Sequence, residues 1–175
     1  PPKKGMVKKM HTLNPNVLKN QIRQIEPYCV TNRLEIDSWK SYTGMHVSPN
    51  NIVLDENPPI QMYLGDRWKV GYDETRYFES EITVPAEFEG KKVYLSIDFG
   101  GEAIVRINGQ IVGAVSSEEN FGWVHRTEIL FKDGVKAGEK LNIQVEGAVN
   151  CAGFCDRAIA GAKNMEYTLN KAELI

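Results

Sequence analysis

Apolar and polar residues alternate with a period of two through much of the second half of the chain. Phe78, Ser80, Ile82 and Val84 fall on one side of a run, Tyr77, Glu79, Glu81 and Thr83 on the other, and Pro85 ends it. Val93, Leu95, Ile97 and Phe99 alternate with Tyr94, Ser96 and Asp98. Leu141, Ile143 and Val145 alternate with Lys140, Asn142, Gln144 and Glu146. Successive side chains of a strand point to opposite faces, so this pattern predicts antiparallel strands with one face buried and one wet. Thr127, Ile129 and Phe131 predict a further strand, and residues 165–169 a last extended piece. Between 103–107 and 110–115 stands Asn108-Gly109. Both residues tolerate positive φ, which a two-residue type I′ hairpin requires. The predicted register sets Ile107 against Gln110, Val105 against Val112, and Ala103 against Ala114.

The first half reads differently. Residues 1–13 are expected to be a disordered, basic lead-in. Asn14 and Pro15 supply an N-cap and a first helical residue, and Val17, Leu18, Ile22 and Ile25 follow a helical period. The spacing predicts a helix over 15–26 that stops at Pro27. Its apolar stripe suits a cap on one face or end of a sheet structure, or an oligomerisation arm. From 32 to 72 the pattern is irregular, with a short extended piece at Leu34-Glu35-Ile36 and loop signals at Ser48-Pro49-Asn50-Asn51 and Asn57-Pro58-Pro59. Gly100-Gly101 serves a turn between strands, and residues 147–161 read as a loop. Many short strands at near-regular spacing predict an all-β, antiparallel sandwich with a short N-terminal helix, residues 14–175 forming a single domain.

Composition narrows the function classes. A net charge of −2, from 21 Lys and Arg against 23 Asp and Glu, gives no basic footprint for nucleic acid or anionic membrane. No apolar run approaches the roughly 20 residues that span a bilayer, and the basic start lacks the apolar core of a signal peptide. The chain is therefore read as cytoplasmic, although position 1 is not Met and the native start is left open. The three cysteines, Cys29, Cys151 and Cys155, suggest no disulfide framework and are read as reduced, incidental thiols. A chain of this length buries roughly 70% of its unfolded surface, so it needs neither disulfide nor metal to fold.

Several segments carry a family likeness. Residues 82–95, Ile-Thr-Val-Pro-Ala-Glu-Phe-Glu-Gly-Lys-Lys-Val-Tyr-Leu, resemble the N-terminal domain of family 38 glycoside hydrolases, the α-mannosidases. So do residues 99–113, Phe-Gly-Gly-Glu-Ala-Ile-Val-Arg-Ile-Asn-Gly-Gln-Ile-Val-Gly, and the upstream Arg33-Leu34-Glu35-Ile36-Asp37-Ser38-Trp39-Lys40. The likeness runs from about residue 14 to the C-terminus and weakens after Val149. A related Asn-Gly hairpin occurs in the sandwiches of the β-galactosidase and β-glucuronidase group. The resemblance implies a galactose-binding-like jelly roll, and a parent enzyme that hydrolyses terminal α-mannose with zinc and retention. Its metal set includes a His-x-Asp pair in a downstream catalytic domain. Here His11, His46 and His125 are followed at the second position by Leu13, Ser48 and Thr127, so no counterpart exists.

No residue of the chain is therefore assigned as catalytic or metal-binding. A glycosidase needs two carboxylates flanking its substrate. Asp37, Asp98 and Glu102 are the acids to inspect, with Glu102 expected to bond backbone amides or an Arg at a sheet corner. Gly100, Gly101, Glu102, Asn108 and Gly109 are read as a structural motif. Aromatic faces stack on pyranose rings. Trp39, Trp68, Tyr72, Phe121 and Trp123 are accordingly candidates for either glycan binding or packing against another domain. Phe121-Gly122-Trp123 is the densest cluster and suits both. The expectation is a non-catalytic accessory domain of an α-mannosidase, partnered by a downstream catalytic domain that holds the zinc, with homo-oligomer contacts open. The rival expectation is a free-standing carbohydrate-binding module.

Overall fold

The computed structural model describes residues 14–48, 51–70, 74–117, 126–148 and 166–175. The helix α1, Pro15–Cys29, lies in a unit that ends at Thr31, and the strands lie in a second unit, Asn32–Ile175. The expected lead-in, 1–13, falls outside the described residues.

Asn14 caps α1 as its sequence predicts. Its Oδ1 accepts from the amide of Asn16 at 2.9 Å, and its carbonyl accepts from the amide of Leu18. The helix does not stop at Pro27 but runs on to Cys29. A proline in the last turn withholds a single amide, so two more residues can still follow it. Val17, Leu18, Ile22 and Ile25 form an exposed stripe along α1.

Among the described residues, the second unit is an antiparallel sandwich of short strands. These are β1 (Leu34–Glu35), β2 (Ser38–Ser48), β3 (Asn51–Leu54), β4 (Ile60–Tyr63), β5 (Arg67–Trp68), β6 (Thr75–Thr83) and β7 (Lys92–Asp98). The remainder are β8 (Glu102–Ile107), β9 (Gln110–Ser116), β10 (Glu128–Asp133), β11 (Lys140–Ala148), β12 (Tyr167–Thr168) and β13 (Lys171–Leu174). The large sheet has the order β3-β2-β6-β11-β8-β9, with β4 paired to the first half of β2 on the edge that β3 takes at the second half. The smaller sheet has the order β1-β13-β7-β10, and β5 pairs with β12 alone.

Between the sheets lies one apolar core. Phe78, Val105, Leu141, Ile143 and Val145 come from the large sheet, and Val93, Leu95, Ile97, Ala172 and Leu174 from the small one. An aromatic chain runs through it. Trp39 meets Phe99 edge-on at 5.1 Å, Phe99 meets Phe78 at 5.0 Å, Phe78 meets Trp68 at 5.3 Å, and Trp68 meets Tyr167 at 5.3 Å. Edge-to-face pairs at such spacing add about 0.5–1.5 kcal/mol each beyond burial. Gly147 makes room for this chain, because a Cβ there would stand 3.0 Å from the Trp68 ring.

Three expectations need correction. The irregular stretch from 32 to 72 contains the eleven-residue β2, whose alternation of Trp39, Ser41 and Thr43 with Lys40, Tyr42 and Gly44 is hidden by polar residues on the core side. Arg76 explains them. From the same side it donates to Ser41 Oγ at 2.7 Å and Thr43 Oγ1 at 2.8 Å. Burial pulls the Arg76 guanidinium pKa below its ordinary value, and Glu74 opposes that pull. The last extended piece is two strands, β12 and β13, and β13 sits inside the small sheet between β1 and β7. Its Lys-Ala-Glu-Leu sequence has no strand signature, and the pairing decides it.

The third correction concerns the hairpin. Asn108 and Gly109 have φ of 51° and 80°, both positive as a type I′ turn demands, and Ile107 faces Gln110. A bulge follows. Val105 then faces Gly113 instead of Val112, and Ala103 faces Val115 instead of Ala114. One extra residue switches which side chains face inward. The switch buries Val115 and leaves Ala114 outside, and it sets the small Gly113 under Ile129, whose side-chain carbons would lie 3.1–3.3 Å from any Cβ.

Candidate functional site

The outer face of the large sheet carries a group of partly buried polar side chains. Strand pairing aligns them in rows. Tyr42 of β2 faces Tyr77 of β6, which faces Glu146 of β11. In the next row Lys40 faces Glu79, Glu79 faces Gln144, and Gln144 faces Arg106 of β8. One row further, Glu81 faces Asn142. These are the polar halves of the alternating patterns, brought together because their apolar halves all turn to the core.

Glu146 anchors the first row. It is a buried carboxylate, 8% exposed. Its Oε2 accepts from Arg106 Nη1 at 2.6 Å, and its Oε1 pairs with His46 Nε2. A buried carboxylate without such donors would be strongly disfavoured. The neighbouring Tyr77 hydroxyl has its pKa raised, first by burial and then by the Glu146 charge, while Thr75 and Arg106 pull it back down. In the second row Glu79 Oε1 accepts from Asn142 Nδ2 at 2.7 Å and from Gln144 Nε2 at 3.4 Å.

Among the described residues, neighbouring grooves of about 320 Å³ each lie at the β2–β6–β11 part of this face. One is mostly apolar, bounded by Tyr42, Ile52, Leu54 and Tyr77, with Arg106 and Glu146 at its polar side. The other is mostly polar, bounded by Ser38, Lys40, Gln61 and Asn142. Glu79 lines both. Each volume lies at the small end of the range for ligand pockets, about 300–1,000 Å³. The face therefore sets ring surface beside carboxylates that are already bonded to amide and guanidinium donors.

The residues singled out from sequence lie elsewhere. Trp39 and Trp68 are core residues, 0% and 3% exposed, and offer no face to a sugar or another domain. Their indole N–H groups are satisfied internally. Trp39 donates to the Ile36 carbonyl at 2.7 Å, and Trp68 to the Phe99 carbonyl at 2.9 Å. A Trp can be fully buried once its single N–H donor finds a carbonyl. Tyr72, Phe121, Trp123, Cys151, Cys155 and His125 lie outside the described residues.

Glu102 is exposed on the outer side of β8, and no hydrogen bond ties it to an amide or an Arg among the described residues. The carboxylate that holds the Arg is Glu146, forty residues on from Arg106. Gly100 has φ of 87°, and a Cβ there would come 3.0 Å from Tyr167, so the position admits only glycine comfortably. Gly101 is buried, and its carbonyl accepts from Ser117. Asn108 ties the hairpin turn to β11, its Oδ1 accepting from the Asn142 amide at 2.9 Å, while Gly109 takes the second positive φ. Asp98 accepts from the Gly100 amide and serves its own turn, while Asp37 accepts from the Leu64 amide and ties the segment before β2 to the end of β4.

Sequence reasoning missed Tyr42, His46, Tyr77, Glu79, Arg106, Gln144 and Glu146 as a group. A polar residue on the wet side of an alternating strand reads as solvated surface. The available signal was the mixture on those wet sides, where Tyr77, Glu79 and Glu146 are bulkier and less uniform than a plain Lys and Glu exterior.

Comparison with known proteins follows from this geometry. Residues 30–175 match the family described as "Alpha-mannosidase, jelly roll domain". Comparison with curated proteins finds no significant match. Among solved structures, the β-glucuronidase of Faecalibacterium prausnitzii superposes with a TM-score of 0.55 at 15% identity, over 82% of this chain and 31% of that one. The apo β-glucuronidase of Ruminococcus gnavus gives 0.53 at 17% identity, over 83% of this chain and 29% of that one. A calcium-binding mutant of Bacteroides uniformis β-glucuronidase 2 gives 0.53 at 18%, over 82% and 18%. The chain thus spans less than a third of the length of each of these proteins, and at such identity the likeness is one of fold. With the match covering the whole sandwich, from before β1 to the end of β13, the chain belongs to the α-mannosidase jelly-roll domain family.

Proposed function

We propose that this chain acts as a non-catalytic accessory domain at the N-terminal side of a zinc-dependent, retaining α-mannosidase, where it supports the catalytic domain. The observation that carries this reading is the family match over residues 30–175. The share of the glycosidase chains that the same fold occupies, 31% in the first of them, agrees with a module inside a larger enzyme. Zinc and hydrolysis of terminal α-mannose belong, in this reading, to the catalytic domain. Among the described residues of this chain no three His, Cys, Asp or Glu side chains gather as a ligand set.

The outer end of β2 with β3 suits a domain contact. Met45 faces Val53 across the hairpin, and Val47 follows in β2, all three exposed. Apolar residues so grouped gain from being covered by a partner surface. The coding sequence downstream of Ile175 tests the reading. The expected result is an open frame into a large domain carrying a His-x-Asp pair, whose α-mannosidase activity falls when the jelly roll is removed. A stop codon close after Ile175 would overturn it.

A further inference from the structure

We propose that the apolar stripe of α1 docks on the domain that follows Ile175 in the same chain, in an apolar groove rimmed by carboxylates. This rests on the reading of the chain as the N-terminal part of a larger α-mannosidase, and it names a contact that holds the two parts together.

The helix is poorly equipped to stand alone. It has 15 residues, and even alanine-rich helices of that length are marginal in water. Asn16, Val17, Asn20, Ile22 and Ile25 all rank below alanine, leucine and lysine as helix formers. No acid in its first turn and no base in its last turn complements the helix dipole. The Asn14 cap is local support, and packing of the apolar face must supply the rest. Yet Val17, Leu18, Ile22 and Ile25 are 43–58% exposed.

The chemistry of the stripe suits a protein groove better than lipid. Gln21 stands one turn after Val17 and one turn before Ile25, so it lies on the stripe. Its amide needs hydrogen-bond partners, which a groove supplies and acyl chains do not. The opposite face carries Asn16, Asn20 and Gln24, where a helix lying in a bilayer surface is rich in Lys and Arg. Lys19 and Arg23, four residues apart, form a basic row along the Ile22 side of the stripe. Six of the 21 Lys and Arg but one of the 23 Asp and Glu fall in residues 1–31. The complementary rim is therefore acidic.

The path of the chain selects the occupant. Leu34 of β1 pairs with Leu174 of β13, and Ile175 exchanges backbone hydrogen bonds with Tyr94 at 2.8 and 2.9 Å. The chain thus enters and leaves the sandwich on adjacent strands. Residues 30–33 alone join α1 to β1, and this tether spans at most about 18 Å. A domain that begins after Ile175 starts beside the tether. Its docking on α1 is intramolecular, and the high effective concentration favours it over a second molecule.

The test uses the full-length protein with a photoreactive phenylalanine analogue in place of Ile22, or of Gln24 on the opposite face. After irradiation and digestion, mass spectrometry reads the joined peptides. The expected products join residue 22 to Asp- and Glu-rich peptides downstream of Ile175, at the mass of a single chain, and the probe at residue 24 gives few. Tryptic cleavage after Arg23 is the second readout. Ile22→Ala with Ile25→Ala should speed it at least about 10-fold, because the undocked form is then more populated. Lys19→Glu should speed it as well, with Lys19→Arg leaving it unchanged. Products within residues 32–175 would make α1 a cap on its own sandwich, and products between two chains an oligomerisation arm. Protection of Arg23 by phosphatidylserine vesicles, with no downstream product, would make it a lipid-surface helix. Each of these overturns the proposal, as does a cleavage rate that the two alanines leave unchanged. A reading frame that ends close after Ile175 sinks the accessory role and this contact together. A frame that continues, with any of those other outcomes, sinks this contact alone.

Discussion

At the scale of single residues, Trp68 distinguishes packing from recognition. It touches Phe78 and Tyr167 and donates to the Phe99 carbonyl. Trp68→Ala should cost about 3–5 kcal/mol in urea unfolding, the range for large aromatic deletions in a core. Trp68→Phe, which keeps a ring but loses the donor, should cost less. Arg106 has the complementary role on the outer face. Arg106→Ala leaves the buried Glu146 with His46 alone, and should destabilise by about 3 kcal/mol, the low end for a broken buried pair.

Glu139 supplies a pH-dependent contribution. Its carboxylate accepts both oxygens' bonds from Lys132 Nζ at 2.9 Å, and this donor holds its pKa below the ordinary value, against a smaller upward pull from burial. A carboxyl depressed in the folded state adds stability above its unfolded pKa and loses it as pH falls through the folded one. Glu139→Gln should therefore be less stable than the parent at neutral pH and equal to it in strong acid. The gap should be below about 1 kcal/mol because the pair is open to solvent. Urea titrations across the acid range would check the sign.

Among the elements, the two positive-φ glycines of turns flanking β8 separate backbone strain from crowding. Gly109 has φ of 80° with open space where a Cβ would stand, and Gly100 has φ of 87° with Tyr167 3.0 Å away. Gly109→Ala should cost about 1–2 kcal/mol, the penalty of the left-handed region alone. Gly100→Ala should cost more, because Tyr167 must also move, and β12 with it. Thermal melts of the two variants would rank them. The bulge in β9 belongs to this scale too. Asn108-Gly109 announces its hairpin from the sequence. The bulge is invisible there, because it is chosen by what Val115 and Gly113 meet across the sandwich.

At the scale of the molecule, the sandwich carries its own core, and the family match begins at residue 30, after α1. A chain starting at residue 30 should fold cooperatively and keep the near-ultraviolet dichroism of its buried tryptophans. Loss of that signal would mean the sandwich needs the preceding residues.

Alternation, turn residues and the helix cap are local, and they were legible. They predicted an all-β antiparallel sandwich, the strands β6, β7, β8 and β11, the type I′ turn and the start of α1. The family likeness also lay in contiguous residues. What pairs with what was decided only in three dimensions. Thr83 meets Lys140, Lys40 meets Glu79 and Glu173 meets Ser96 across separations that no local pattern encodes. Those pairings turned Lys-Ala-Glu-Leu into an inner strand and drew Trp39 and Trp68 into the core. They also gathered Tyr42, Tyr77, Glu79, Arg106, Gln144 and Glu146 on one face. Periodicity says which side of a strand is wet, and register alone says which wet sides become a site.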